Sequence, residues 1–530
     1  MNRFSRHGPL AHRGNENAEG WRDYGPTMKP TAKTRHDMTA RVLMLGIDAA
    51  DLIFIQKHRD NLPVIDRLMR EGVLRSLETT SRLLTGSVWP TFYTGTMPGE
   101  HGIYHHLQWD PTTMRIRRIS ADWLYCEPFW YELSRNGVKV TVADVPMTFP
   151  SRLQRGVEVV NWGAHDQLSR FHCNLPDLER DIRRRFGAHP MGAEIPVNKT
   201  RAQLENIRRH LIDGAKLKGG LIRHLLSNTE WDCFLAVFGE CHRGGHILWP
   251  EDAPHSLIGE HALLDVYRAV DAAVGRILEC VDLSATTVML FSLHGMEKNS
   301  SQEHFVPPVM QLINSLFEGE VHLDGDPPTT QRSLLRQLRN RLPARIQNAI
   351  ARAVPVSVRD WVISRVTSAG YDWKRTPALA LLADHNGYLR FNLKGRETRG
   401  CLRADEDSFS RYREWLESGF RGLRIVTDHT PLVNELVWGA EAFPGRRADY
   451  LPDVIVTWNK HPPAAVVESK ALGRITSRLD TGRSGNHRHE GFLLLCGPGQ
   501  QHEGWASVKH IVNLAPQLLH QYLGPLAVDA

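Results

Sequence analysis

Three apolar runs in this chain lead directly into residues that bind metals or anions, and no other feature constrains the fold as much. Residues 41–47 (Arg-Val-Leu-Met-Leu-Gly-Ile) end at Asp48. Residues 234–238 lead into Glu240-Cys-His242-Arg-Gly-Gly-His246, and residues 287–291 into Ser292-Leu-His294-Gly-Met296. Each run has the length and composition of a buried strand. Between them lie apolar residues at helical spacing: Leu52, Ile55, Leu62, Ile65, Leu68 and Met69 before Gly72, and later the stretch 263–278. Strands alternating with helices predict a parallel sheet covered on both faces. Such a sheet displays its ligands beyond the carboxyl ends of its strands. Further strands are expected at 138–142, 157–161, 378–382, 387–392, 424–426, 453–458 and 492–496.

A second signal lies at Ser81-Arg-Leu-Leu-Thr85-Gly-Ser87-Val-Trp-Pro. Hydroxyls just ahead of an amphipathic run place Thr85 or Ser87 near a helix N-terminus, where free N–H groups and the helix dipole favour an anion. A lone hydroxyl there is more often only a cap. A lone His242/His246 pair can be a helix face without metal, and Asp48 can simply cap the next helix. The chemical reading comes from their occurrence in order, followed by His294 and by Gly485-Asn-His487-Arg-His489.

That order, with Thr94-Gly95 and His101-Gly102-Ile103 downstream of Thr85, resembles the alkaline phosphatase superfamily, in its type I phosphodiesterase and nucleotide pyrophosphatase branch, over roughly residues 40 to 500. The resemblance implies a three-layer α/β/α sandwich with a mostly helical cap. It also implies a phosphoester hydrolase, more a phosphodiesterase than a monoesterase, working through a threonine nucleophile and a phospho-enzyme intermediate. The nucleophile falls on Thr85, with Ser87 as the alternative. The metal ligands fall on Asp48, Thr85, His242, His246, His294 and His487, with His489 a competitor for the last. One or two divalent ions are implied, zinc first because imidazoles dominate, with manganese or iron as alternatives.

The chain departs from the family pattern at three places. His242 replaces a carboxylate, and Glu240 is a candidate to restore the charge as ligand or as acceptor from one. Leu293 stands where a second carboxylate is usual. His106 stands where nucleotide-handling relatives place an asparagine on a phosphate oxygen; it can still donate, and as imidazolium would add charge. A sulfatase- or phosphonate-hydrolase-like enzyme is the alternative, weakened by the lack of a Cys-x-Pro-x-Arg stretch. A degenerate member acting as a binding or scaffold protein is the other.

A net charge of only +6 gives no reason to expect a nucleic-acid binder, and no apolar stretch is long enough for a membrane span. The expected partner is a small anionic phosphoester, and the oligomeric state is open. Seven scattered cysteines without a CxxC pair favour the cytoplasm. Residues 1–38 read as a basic tail without apolar periodicity, 39–510 as the catalytic domain with cap insertions about 167–228 and 320–375, and 511–530 as a C-terminal helix and tail. Between Arg332 and Arg365, eight arginines face a single acid, Asp360, expected as a solvated face of the cap or a guide for anionic substrate. A chain started at Met38 should keep its melting temperature and activity; a loss of several degrees would show that the tail packs on the core.

Overall fold

The computed structural model describes residues 41–525 apart from 151, 152, 154, 193–198, 251–258, 260, 318–370 and 499–502. The expected tail 1–38, the arginine-rich segment 332–365 and most of the expected insertion 320–375 lie outside the described residues.

The centre is an eight-stranded sheet in the order Val73–Glu78, Glu490–Cys496, Thr286–Ser292, Arg41–Ile47, Cys233–Phe238, Val140–Ala143, Val157–Val160, His172–Cys173. The five strands from Thr286–Ser292 to Val157–Val160 are parallel. Glu490–Cys496 runs antiparallel to both its neighbours, and His172–Cys173 is an antiparallel edge. Every residue of Thr286–Ser292 and Cys233–Phe238 is buried, which is why these strands read as continuous apolar runs rather than alternating ones.

Successive residues of the first strand serve opposite layers. Leu43 and Leu45 join the cluster formed with the helices Pro63–Glu71, Arg201–Asn228, Glu240–Leu248 and Ala262–Leu278. Val42 and Met44 join the cluster with Val88–Thr94, Phe129–Arg135 and Leu514–Leu523. The result is an α/β/α sandwich. Residues 167–228, expected as an insertion over the sheet, supply in Arg201–Asn228 a helix of the layer itself, with Leu211, Ala215, Leu221, Ile222 and Leu225 fully buried. The C-terminal helix is likewise part of the core. The helical pattern of 52–72 is broken in two, because Pro63 starts a new helix that Gly72 ends.

A four-stranded antiparallel sheet, ordered Ala378–Leu381, Gly387–Phe391, Val454–Trp458, Val433–Trp438, forms a second unit. One face packs on the helices Val306–Leu316 and Asp407–Arg421. The other, through Leu379, Tyr388 and Ile455, packs on Leu83, Leu84 and Tyr104 of the main unit.

A fully buried ion pair, Lys218 with Asp144, ties the long helix to the sheet edge. Asp144 also accepts from the backbone N–H groups of Trp162 (2.7 Å) and Gly163 (2.6 Å), fixing the turn after the Val157–Val160 strand. Lys218→Met leaves that carboxylate buried without its cation, so a loss of about 3–5 kcal/mol is expected, read as a lower urea midpoint. An unchanged midpoint would mean the pair contributes nothing net.

Candidate functional site

Asp48, Asp144, Glu240 and His294 each follow a parallel strand at its carboxyl end. Because Glu490–Cys496 is antiparallel to them, its start lies at the same edge, and so does His487 just before it. The Val73–Glu78 strand, antiparallel in turn to Glu490–Cys496, delivers the Thr85 loop there as well. Chain direction alone therefore gathers residues that are hundreds of positions apart.

Asp48 is wholly buried. Its Oδ1 accepts from the Trp89 indole N–H at 2.9 Å, and its Oδ2 lies 2.8 Å from His242 Nδ1. His294 Nε2 is 3.6 Å from Oδ1. His242 and His246 stand one turn apart on the helix Glu240–Leu248, hence on one face, with their Nε2 atoms 3.0 Å apart. A two-stranded ribbon pairs Gly295–Lys298 with Gly485–Arg488, setting Met296 opposite His487 and bringing the His294 and His487 ring centroids to 4.7 Å. The ribbon can approach the histidine helix because Gly485 lacks a side chain: a Cβ there would stand 2.2 Å from the Gly245 carbonyl oxygen.

Two backbone carbonyls fix the tautomers. Carbonyls only accept, so His246 Nδ1–H donates to Gly485 O (3.2 Å) and His294 Nδ1–H to Gly295 O (3.3 Å). Each Nε2 is left with its lone pair turned to the shared space, the arrangement that orients metal-binding histidines. Burial, with Arg483 and His242 nearby, holds His246 well below the usual imidazole range. His487 is depressed by burial and the surrounding imidazoles, and His294 by burial to about 4. Burial would raise Asp48, but the charges of His242 and His165 outweigh it and hold the carboxyl well below its ordinary value. Neutral imidazoles and an ionised carboxylate are the forms that bind metal.

Two buried donor groups result, His242/His246/His487 and Asp48/His242/His294, each with its ligand atoms within 4.8 Å of one another. His487 Nδ1 is buried with no hydrogen-bond partner. Three imidazoles on one side and a mixed oxygen–nitrogen set on the other fit divalent ions of the zinc type.

Thr85 opens a short 3-10 turn, Thr85–Ser87, that runs directly into the helix Val88–Thr94, and no side chain caps that helix. Thr85 thus stands at the start of the helical segment, three residues ahead of the α-helix itself. Its hydroxyl has one long contact, 3.4 Å to Ser81 O. The Ser87 hydroxyl is engaged twice, donating to Leu84 O at 2.6 Å and lying 2.7 Å from Thr80 Oγ1. The loop is anchored on both sides of Thr85. Ser81 Oγ–H donates to Arg488 O (3.4 Å), next to His487, and Trp89 donates to Asp48. From the second unit, Asn386 donates to Arg82 O (2.8 Å) and Tyr388 to Leu83 O (3.0 Å). His101 is structural: its Nδ1 accepts from Ile103 N–H (3.1 Å) and its Nε2 meets Thr91 Oγ1 (3.1 Å).

Glu240 turns away from the donor groups to His189 Nε2 at 3.0 Å. His489 also stands apart from them, its ring nearest His385 at 6.2 Å. His106 stacks on His105 (centroids 4.3 Å) with Nδ1 3.5 Å from Asp166. Burial pushes it down to about 4, so it is neutral rather than the imidazolium considered from sequence. One residue in the cluster was not anticipated. His165, at the end of the Asp144-held turn, lies with Nδ1 2.9 Å from Asp48 Oδ2 and its ring 3.8 Å from that of His242. Its sequence signal was a histidine shortly after the expected strand 157–161.

Nitrogen and oxygen donors gathered where a parallel sheet presents its ligands define an α/β enzyme site. The chain belongs to the type I phosphodiesterase / nucleotide pyrophosphatase family, whose pattern matches residues 42–403. It is accordingly a phosphoester hydrolase. No curated protein matches the chain in sequence. Among solved structures, phosphonoacetate hydrolase from Sinorhizobium meliloti 1021 in complex with phosphonoformate is similar at 12% identity, covering 94% of this chain and 99% of that one, with a TM-score of 0.49. An inactive murine ectonucleotide pyrophosphatase/phosphodiesterase 5 in complex with AMP is similar at 12% identity, 93% and 97% coverage and a TM-score of 0.47.

Proposed function

We propose that the chain is a metal-dependent phosphodiesterase with Thr85 as nucleophile, acting on a small anionic phosphoester. The observation that carries this reading is the placement of Thr85 between two anchors, Ser81 on the His487 strand and Trp89 on Asp48, so that the loop bearing its weakly engaged hydroxyl is fastened to a member of each donor group. His242, His246 and His487 would hold one divalent ion, and Asp48, Thr85 and His294 a second, zinc before manganese or iron. When bound, such ions supply Lewis-acid charge to the phosphoryl oxygens and favour ionisation of a nearby hydroxyl.

The protein's own groups do the rest. Thr85 Oγ bonds to phosphorus as the ester P–O bond breaks and the alcohol leaves; water then cleaves the phosphothreonine and restores the hydroxyl. Asp48 stays ionised and oriented by Trp89. The buried imidazoles exclude water and keep their lone pairs turned inward. No helix among the described residues is long and apolar enough to cross a membrane. All seven cysteines are unpaired, which supports a reducing, cytoplasmic setting.

Protein reloaded with zinc and offered nitrophenyl phosphodiesters, phosphomonoesters, phosphonate esters and sulfates should turn over the diester fastest. A preference for sulfate or phosphonate would replace this reading with the corresponding hydrolase.

A further inference from the structure

We infer that Asn386, with Tyr388 beside it, is a positioning residue for Thr85, so that the second unit sets where the attacking hydroxyl stands; this rests on the reading of Thr85 as nucleophile above. The Thr85 side chain does not place itself, because its hydroxyl has only the 3.4 Å contact to Ser81 O. Its position follows from the backbone just ahead of it. There the Asn386 amide donates to two successive carbonyls, Arg82 O at 2.8 Å and Leu83 O at 3.1 Å. Tyr388 Oη–H donates to Leu83 O as well, at 3.0 Å, and the same hydroxyl faces the Thr85 backbone N–H. These bonds act two and three residues ahead of Thr85, whereas the anchors at Ser81 and Trp89 lie four residues away on either side.

Asn386 suits this role because the turn that carries it is itself fixed. It is buried and ends residues 382–386, the turn between the strands Ala378–Leu381 and Gly387–Phe391. The carbonyl of His385 pins the turn, accepting from Trp458 Nε1 at 2.9 Å and from Ser301 Oγ at 2.6 Å. One residue earlier the turn reaches the histidine ribbon. Asp384 O accepts from Asn486 Nδ2 at 2.9 Å, and Asn486 Oδ1 accepts from His487 N–H at 2.9 Å.

One turn of the second unit therefore holds both the Thr85 loop and the His487 ribbon, and so fixes the spacing between the nucleophile and a donor group. Covalent attack is sensitive to that spacing: a reacting atom displaced by about 1 Å loses about a hundredfold in rate. Removing the Asn386 amide frees the two carbonyls ahead of Thr85 and leaves the bonds from the ribbon to Asp384 O intact. The loss should thus fall on the chemical step and spare the binding of substrate and metal.

The test compares Asn386→Ala with Asn392→Ala in full-length, zinc-loaded protein acting on a nitrophenyl phosphodiester. Asn392 controls for a merely structural role. It is fully buried in the same unit, and its amide likewise joins carbonyls, those of Trp373 (2.9 Å), Thr376 (3.1 Å) and Arg399 (3.3 Å), none of them in the Thr85 loop. Both variants should lower the urea midpoint. Only Asn386→Ala should lower kcat, by about tenfold to a hundredfold, with KM and metal content unchanged, and it should cost nothing further when added to Thr85→Ala. Tyr388→Phe keeps the ring and removes one donor, so its kcat should fall about fivefold, the worth of one neutral hydrogen bond. Wild-type kcat in folded Asn386→Ala, or equal losses of kcat in the two asparagine variants, would overturn the assignment and leave Thr85 as nucleophile. If Asn386→Ala does not fold, wild-type kcat in Tyr388→Phe overturns it instead. Wild-type turnover by Thr85→Ala would overturn the nucleophile reading and this assignment together.

Discussion

Replacing Thr85 with alanine is expected to lower phosphodiester turnover by about a thousandfold or more, the scale seen when a covalent nucleophile is deleted, with metal content unchanged. Thr85 is 8% exposed, and its hydroxyl makes only the 3.4 Å contact to Ser81 O, so the deletion removes little that holds the loop. The anchors at Ser81, Trp89, Asn386 and Tyr388 all remain. Ser87 offers the internal control. Its hydroxyl is spent on Leu84 O and Thr80, so Ser87→Ala should cost stability of about 1 kcal/mol and leave the chemistry near wild type. Thr85→Ser, which keeps the attacking oxygen, should retain measurable turnover. If Thr85→Ala stays active while Ser87→Ala is dead, the nucleophile is Ser87. If both stay active, the covalent route is wrong.

The strands that carry the site were legible because burial on both faces writes itself as an uninterrupted apolar run. The expected 234–238 and 287–291 differ from Cys233–Phe238 and Thr286–Ser292 by no more than one residue at either end. The edge strand Val73–Glu78 was not legible: it is half exposed and mixes Arg75, Ser76 and Glu78 with its apolar residues. Yet that strand brings Thr85 to the sheet edge. The departures Leu293 and His242 could be read from motif position, but not the residues that surround them. His165 meets Asp48 just after a turn held by Asp144, 19 residues from Gly163 in sequence, and no local pattern encodes that. The partner of Glu240, His189, is 51 residues away and was hidden for the same kind of reason. Gly86, beside Thr85, is demanded by chain packing: a Cβ there would stand 2.4 Å from the Tyr104 carbonyl oxygen.

The second large effect is expected at the three-imidazole group. His246→Ala and His487→Ala should each reduce metal content by about one ion per chain, weaken uptake on titration by at least about a hundredfold, and remove activity with it. His246 is oriented by its bond to Gly485 O, and His487 is buried with Nδ1 unpartnered; both are kept neutral by burial first and neighbouring charge second. Desolvated neutral imidazoles have little to lose on binding an ion, because protons compete weakly for their lone pairs. An ion held by the native state alone also stabilises it, by about 2.7 kcal/mol when present at a hundred times its dissociation constant. Chelator should therefore lower the melting temperature of the wild-type protein, and lower that of His246→Ala by less. A wild-type melt indifferent to chelator, together with no uptake of zinc, manganese or iron on titration, would leave these histidines as a packed cluster and remove the metal from the reaction.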